Sequence, residues 1–300
     1  MANLKEIRTR IASVTTTRQI TSAMKMVSAA KLKRAQDAVL QLRPYVSKLS
    51  GILGNLYQYN DGYEDKTFFA QRGSDRILIV LVTSNRGLCG AFNNNAIKLA
   101  LSLAHNEFRQ SMQSKKLQFI CMGKKGADYL RAKKYPLLAE YPEVVERPQF
   151  SSASQIAEKI IGLYQGGQFD RVVLVYNKFK NAAVQELVWE QFLPLSLPKS
   201  RKKDAKLSSV LTYVNDYILE PGKEAIIAEI VPVYLKSLFF RALLDSAASE
   251  HGARMTAMHK ATDNATELLR QLTLNYNKAR QASITSEILE IVGGAEALKG

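Results

Sequence analysis

The sequence predicts an α/β protein in which two long terminal helices, paired as a coiled coil, bracket a central α/β domain. Residues 3–58 and 223–298 follow helical patterns, and between them short apolar runs alternate with helical stretches. Helices of globular proteins average roughly 11–12 residues, so segments of this length must pack on each other or inside a partner. We place the N-terminal helix at 1–60, the α/β domain at 75–205 and the C-terminal helix at 210–300.

Composition narrows the class of protein. A hydrophobic content of 46% argues against global disorder, and the net charge of +15 predicts acidic partners such as nucleic acid, anionic lipid or an acidic protein surface. Two cysteines, Cys89 and Cys121, make no disulfide framework and suit a reducing compartment. No apolar run approaches the length of a transmembrane helix.

The N-terminal segment permits a second interpretation. Residues 1–35 are rich in Arg, Lys, Ser and Thr and poor in acids, which is typical of organellar transit peptides. A heptad pattern runs straight through this segment into the rest of the predicted helix, however, and this favours a helix of the mature protein.

A coiled-coil seam is visible in the N-terminal helix, where apolar residues recur at alternating steps of three and four. It is clear at both ends and polar in the middle, where Ile20, Met24 and Val27 carry the apolar stripe on a shifted face. Pro44 lies inside the run and predicts a bend at residues 42–43. The apolar seam positions are Leu4, Ile7, Ile11, Val14, Leu32, Ala35, Val39, Leu42, Val46, Leu49, Leu53 and Leu56, and the polar ones are Arg18, Thr21, Lys25 and Ser28.

The C-terminal helix follows the same rule less strictly and is rich in alanine and methionine, which allow close or irregular packing. It exceeds the first helix in length, so its last residues, 284–298, need another apolar surface. An ordinary helical bundle or a dimeric coiled coil remains an alternative. The residues that share one phase are Ile227, Ile230, Tyr234, Leu244, Ala248, Met255, Met258, Ala265, Leu269, Leu272, Tyr276 and Ala279.

The middle of the chain predicts a Rossmann-like α/β domain with a partly parallel sheet, because strand and helix patterns alternate. A basic linker follows at residues 199–206. The predicted strands are 76–84, 117–122, 169–178 and 184–192, the last two forming an edge pair, and the predicted helices are 94–111, 124–132 and 154–164.

Several motifs in this domain resemble chemical sites. The turn at residues 85–90 (NRGLCG) could hold phosphate at a helix N-terminus, but it matches neither common nucleotide-binding pattern, and a tight turn explains it equally well. Cys89 has no histidine nearby to activate it, and His105, His251 and His259 lack metal-ligand spacing. The segment 123–126 (GKKG) reads as a surface turn.

Other motifs together carry a family resemblance. They are IRTRIASV at 7–14, ITSAMKMVSAAK at 20–31, RPY at 43–45, SNRGLCG at 84–90, ATE at 265–267, YNKARQASIT at 276–285 and EILEIVGGA at 287–295. This chain closely resembles the gamma subunits of F-type ATP synthases over nearly its whole length.

The resemblance implies a rotor shaft with no catalytic residue, metal or cofactor of its own. Its terminal helices would form an antiparallel coiled coil inside a ring of three alpha and three beta subunits, and the α/β domain would meet epsilon and the c ring. Membrane association would be indirect, through the Fo sector, on the cytoplasmic face of a bacterial inner membrane. The implied beta-subunit contacts are Met24, Lys25, Arg280, Gln281, Thr285 and Glu287, and the implied apolar bearing tip is Ile288, Ile291, Val292 and Ala295.

The resemblance also suggests a reason for the polar gap in the seam: those side chains would face the surrounding ring rather than the partner helix. Asn85 departs from the family pattern, which usually has Asp there. No cysteine lies near residues 199–209, so the redox switch of the chloroplast members should be absent.

Two rival functions remain in view. The basic N-terminal helix suggests a nucleic-acid-binding coiled coil, which predicts salt-sensitive DNA binding, although almost no aromatic residue precedes Tyr45. The turn at 87–90 suggests an α/β enzyme, which predicts nucleotide binding or turnover by the purified chain alone.

Overall fold

A computed structural model describes residues 4–58, 68–69, 72–73, 75–182, 184–195, 220 and 222–297. The predicted basic linker at 199–206 lies outside these residues. The elements are α1 (Leu4–Gln58), β1 (Ile77–Val82), α2 (Phe92–His105), α3 (Arg109–Gln113), β2 (Leu117–Met122), α4 (Lys124–Ala132), β3 (Leu137–Glu140), α5 (Glu143–Glu146), α6 (Phe150–Gln165), β4 (Arg171–Phe179), β5 (Gln185–Leu193) and α7 (Lys223–Ala297).

The two long helices are confirmed. α1 has 55 residues and α7 has 75, and the two helices pack together. Pro44 lies within α1 and Pro232 within α7, and helix continues on both sides of each. None of the helices that the structure describes combines the length and apolar character that a bilayer crossing requires.

The central sheet has the strand order β3-β2-β1-β4-β5. β1 pairs in parallel with β2 and β4, β2 pairs in parallel with β3, and β5 runs antiparallel to β4, which confirms the predicted edge pair. Alternate residues of β1 face two separate clusters, with Leu78 on one side and Ile79 on the other. The second of these clusters includes residues of α2 and α4, whereas the first includes α6 and parts of α1 and α7.

The predictions for this domain differ from the structure in three places. The single helix expected at 94–111 is two helices, because the chain breaks at 106–108 and the Phe108 amide bonds to the Leu103 carbonyl at 2.9 Å. β3 and α5 were not predicted. The segment 123–126, predicted to be a surface turn, is the N-cap and first turn of α4, in which the two lysines are exposed and the two glycines are buried. A Cβ on Gly123 would come 2.1 Å from the Thr83 carbonyl oxygen.

The expected orientation of the polar seam is wrong for two of its four residues, whereas Arg18 and Lys25 are half-buried. Thr21 and Ser28 are buried, whereas Ile20 and Val27 on the shifted face are 54% and 57% exposed. The hydroxyl of Ser28 donates to the Met24 carbonyl oxygen of its own helix at 2.7 Å. A hydroxyl that is satisfied in this way can be buried without leaving a polar group unpaired. The two small polar residues of the seam are therefore the ones that the helix pair buries.

By its internal contacts the chain divides into two compact units. One consists of residues 1–29 and 254–300, and the other of residues 30–253, which contain the whole sheet.

Candidate partner-binding surfaces

The unit of residues 1–29 and 254–300 is an antiparallel pair of helices. The guanidinium of Arg8 donates to the Tyr276 hydroxyl at 2.7 Å and lies 5.7 Å from the centre of its ring. Further along, the Thr262 hydroxyl lies 2.9 Å from that of Thr21. Since the residue numbers rise on one helix as they fall on the other, the two helices run in opposite directions.

The predicted beta-subunit contacts fall into two groups along this helix pair. Met24 and Lys25 are half-buried, next to Thr21 in α1. Arg280 lies 18 residues beyond Thr262 in α7, a rise of about 27 Å. The structure therefore places the two groups at separate levels rather than in one patch.

The second group is fully on the surface. Arg280, Gln281, Thr285 and Glu287 are all exposed. The Thr285 hydroxyl donates to the Gln281 carbonyl oxygen at 2.9 Å, and the Ser283 hydroxyl donates to the Glu287 carboxylate at 3.3 Å. These bonds stay within α7, so the charged ends of Arg280 and Glu287 face solvent.

The predicted bearing tip is an exposed apolar stripe. Ile288, Ile291 and Val292 are 54%, 71% and 53% exposed, and Ala295 is exposed as well. Their spacing of three, four and seven residues puts the four side chains on one face of the helix. Every residue from 284 to 297 is exposed, so α7 offers this face to a partner.

Sequence analysis placed Ile20 and Val27 on a shifted apolar stripe but did not predict that this stripe is exposed. Ile20, Met26 and Val27 on α1 are all more than half exposed. The signal was present in the sequence, since the small hydroxyl residues Thr21 and Ser28 can fit between two close helices. These residues mark the packed face of α1 and leave the larger apolar side chains outside.

In the other unit, the glycine turn lies at the carboxyl end of β1, where doubly wound sheets commonly bind ligands. The side chain of Asn93 closes the turn: it accepts a bond from the Ser84 amide at 2.9 Å and donates to the Cys89 sulfur at 3.2 Å. Cys89 is 1% exposed, so its thiol is not available as a nucleophile at the surface. Burial raises the pKa of the Cys121 thiol to about 12.

Asn85 joins three elements at this edge of the sheet. Its amide nitrogen donates to the Pro142 carbonyl oxygen at 2.7 Å, and its amide oxygen accepts a bond from the Lys124 amide at 3.0 Å. A carboxylate at this position could only accept. The amide therefore gives this chain a bond between the turn after β1 and the start of α5 that the usual Asp could not form.

No cluster of three or more metal-ligating side chains exists within the described ranges.

Known proteins resemble this chain along its whole length. The profile of a family described as ATP synthase matches residues 3–298. The ATP synthase gamma chain of Flavobacterium psychrophilum is 52% identical over 300 residues, which is 100% of both chains. That of Chloroherpeton thalassium is 47% identical over 301 residues, covering 100% of this chain and 99% of the relative.

This chain belongs to the ATP synthase gamma-chain family. Solved structures share the fold. A chain of the Euglena gracilis mitochondrial ATP synthase (OSCP/F1/c-ring) has a TM-score of 0.66 at 22% identity, covering 98% of this chain and 94% of that one. One from the central stalk and c ring of the Tetrahymena thermophila enzyme has a TM-score of 0.56 at 24% identity, covering 81% and 99%.

Membership in the gamma-chain family decides which class of protein this chain represents. It assigns the chain to the F1 part of ATP synthase, and none of these comparisons supports the nucleic-acid alternative. The basic N-terminal segment is part of the matched region and of α1, as the heptad pattern indicated.

Proposed function

We propose that this chain is the central-stalk rotor subunit of a proton-translocating ATP synthase and couples rotation of the c ring to conformational change at the beta catalytic sites. One observation carries the proposal: α7 ends in a stretch, residues 284–297, whose side chains are all exposed and whose apolar face lacks charge. Such a face suits an apolar sleeve in which the shaft turns. Directional bonds there would hold it in one position.

The charged surfaces suit transient contacts with a surrounding ring. Lys25 on α1, and Arg280 and Glu287 on α7, would contact beta subunits, together with Met24, Gln281 and Thr285. Exposed ion pairs are worth roughly 0–1 kcal/mol each, weak enough to form and break at every step of rotation. The proposed bearing contacts are Ile288, Ile291, Val292 and Ala295.

The remaining partners follow from the same role. Three alpha and three beta subunits would enclose the paired helices, and epsilon and the c ring would bind the α/β domain. Relatives at this level of identity are bacterial, which supports a peripheral position on the cytoplasmic face of the inner membrane, with the Fo sector as the link to the bilayer.

Co-purification tests this proposal. A tagged full-length chain expressed with the other subunits should bring down alpha and beta in a three-to-three-to-one ratio, with epsilon. A matched chain carrying Ile288→Asp and Ile291→Asp should recover less of the complex, because charge at the bearing face opposes its burial. Recovery of the tagged chain without alpha and beta, or with DNA in a salt-sensitive manner, would contradict the assignment.

A further inference from the structure

The β4–β5 hairpin contacts α7 along a segment that is buried around its whole circumference. Residues 242–250 are nine consecutive buried positions, and this segment belongs to the unit of residues 30–253. A helix buried on every side normally lies in the core of a large domain. Here the contacts that enclose the helix include hydrogen bonds and ion pairs.

Arg43 joins three elements at one point. Its guanidinium nitrogen Nη2 donates to the Phe179 carbonyl oxygen of β4 at 2.8 Å and to the Asp245 carboxylate of α7 at 2.9 Å. The side chain of Asp245 is 1% exposed, so its charge depends on this partner. Arg43 therefore ties α1 to both the hairpin and α7.

A second ion pair ties α7 to the other strand of the hairpin. Arg241 donates to the Glu190 carboxylate of β5 at 2.7 Å. The Tyr176 hydroxyl of β4 donates to the other oxygen of the same carboxylate at 2.9 Å. Glu190 is thus held from two sides, and both strands share the contact.

The tip of the hairpin extends this contact further along α7. The Ser249 hydroxyl donates to the Asn177 carbonyl oxygen at 3.0 Å. Near the tip, a Cβ on Gly252 would come 2.9 Å from the Ala182 carbonyl oxygen, so only glycine permits this approach without displacement. From Arg241 to Gly252 the hairpin follows α7 for about 16 Å.

These polar contacts resist sliding and twisting of the elements better than the apolar core beside them does. Leu53 of α1, Val231 of α7 and Val172 of β4 lie in one hydrophobic cluster, which opposes separation of these elements. Apolar attraction is non-directional, so it opposes sliding or twisting only weakly. Hydrogen bonds weaken steeply as their angle and length change, so they resist a small displacement under load.

We infer that this set of polar contacts is a torque clamp that keeps the α/β domain from turning on the two helices under load. The torque clamp consists of Arg43, Tyr176, Glu190, Arg241, Asp245 and Ser249. Arg43 is its positioning residue, because its guanidinium bonds to both the hairpin and α7, and Asp245 is the buried acceptor of that guanidinium on α7. The inference rests on the proposed rotor function and adds the site at which torque passes from the domain to the shaft.

The test uses the complete synthase in sealed vesicles, with two readouts: the ATP hydrolysis rate in the presence of an uncoupler, and the largest proton gradient that ATP hydrolysis sustains. Arg43→Lys keeps the charge but is one atom shorter, which draws its nitrogen back from both acceptors. We expect hydrolysis to stay near the wild-type rate while the sustained gradient falls roughly threefold, because directional bonds are lost across the loaded contact. Asp245→Asn should act in the same direction.

The matched control is Glu140→Gln, which removes one negative charge from an exposed ion pair with Arg131 at the far edge of the sheet. It should leave both readouts unchanged. Ser249→Ala removes one neutral bond and no charge, so it remains informative if a charged-pair variant fails to assemble; it should lower the gradient by a smaller factor, with hydrolysis intact.

Two results would overturn the inference. One is a sustained gradient that Arg43→Lys and Ser249→Ala, alone and combined, leave at the wild-type value. The other is an equal loss of hydrolysis and gradient, which indicates general damage to the structure. Failure of the proposed function itself looks different, because the wild-type chain would then not join alpha and beta at all.

Discussion

The hydroxyl of Thr262 in α7 lies 2.9 Å from the hydroxyl of Thr21 in α1, at a position where a coiled coil normally places apolar side chains. The Thr21 hydroxyl donates to the Arg18 carbonyl oxygen at 3.0 Å and accepts from Thr262, whose single hydroxyl proton is shared between the Thr21 oxygen and the Met258 carbonyl oxygen at 2.8 Å. The pair therefore fixes the relative position of the two helices through a directional contact in an otherwise small-residue seam.

A double-mutant cycle measures this contact. Thr21→Val should lower the free energy of unfolding by about 0.5–1.5 kcal/mol, since valine matches the shape but cannot bond. The double variant Thr21→Val with Thr262→Val should lose less stability than the two single variants together, because it leaves no hydroxyl without its partner. Chemical unfolding of the purified chain gives these values. Thr9→Val is the control, because the Thr9 hydroxyl bonds only within α1; strict additivity at 21 and 262 would argue against coupling.

Lys25→Glu should reduce coupling more than it reduces folding. Lys25 is half-buried on α1, and the proposed contact is with an acidic surface of beta, so reversal of its charge replaces attraction with repulsion. ATP-driven proton pumping divided by ATP hydrolysis should fall by roughly two- to tenfold, and less so at high salt. Lys98→Glu makes the same charge change at an exposed position of α2 and should have no effect. Equal losses of coupling and thermal stability in Lys25→Glu would indicate a structural role instead.

Deletion of residues 287–300 should weaken assembly or torque and leave the α/β domain folded. The described part of this stretch, 287–297, is exposed throughout and belongs to the unit that lacks the sheet, so its removal takes no side chain from the core of the domain. Recovery of the complex and ATP-driven pumping report the loss, and circular dichroism with thermal unfolding reports the domain. Normal assembly and coupling by the truncated chain would refute the bearing role of the tip.

Acid should destabilise the start of the sheet through Asp170. Burial alone would raise its pKa, but side-chain and backbone bonds from Arg76 outweigh that effect and hold the pKa of Asp170 below its ordinary value of 3.8. The carboxylate therefore binds fewer protons in the folded chain than in the unfolded one. Its stabilisation is complete above the ordinary pKa and is lost as pH falls through the lowered value.

Asp170→Asn should remove this acid dependence. The variant should be less stable than the parent by about 1 kcal/mol at pH 7, since Arg76 is half exposed, and the difference should shrink toward pH 3. Unfolding midpoints between pH 7 and 3 measure it. Asp128→Asn is the control, because the Asp128 carboxylate lies at the surface of α4 and makes only a long ion pair of 3.8 Å with Arg131. A constant difference at all pH values for Asp170→Asn would show that ionisation is not the cause.

The period of the apolar pattern and the length of each apolar segment were enough to predict the long helices and most of the sheet. The strand at 117–122 and the helix at 124–132 agree with the structure to the residue, because each is bounded by turn residues and has a clear apolar pattern. β3 escaped prediction because four residues that alternate between half-buried and exposed carry little signal. The seam was misread because side-chain size and self-satisfied hydroxyls, rather than polarity, decide what is buried between close helices.

The candidate surfaces were only partly predictable. The tip and the charged group at 280–287 rest on a family resemblance together with exposure. The torque clamp could not be predicted, since Arg43 and Asp245 are separated by 202 positions and meet only through tertiary packing. An ion pair between residues so far apart along the chain leaves no periodic signal in the sequence.

The enclosure of residues 242–250 on every side has an experimental consequence. Backbone amides in this stretch should exchange slowly with deuterium, because the hairpin and the other elements packed on α7 shield them from water, so a faster exchange would report loosening of these contacts. The exchange rate of each amide can be compared between a resting complex and one that turns against a proton gradient. The difference would show which peptide groups respond to mechanical load.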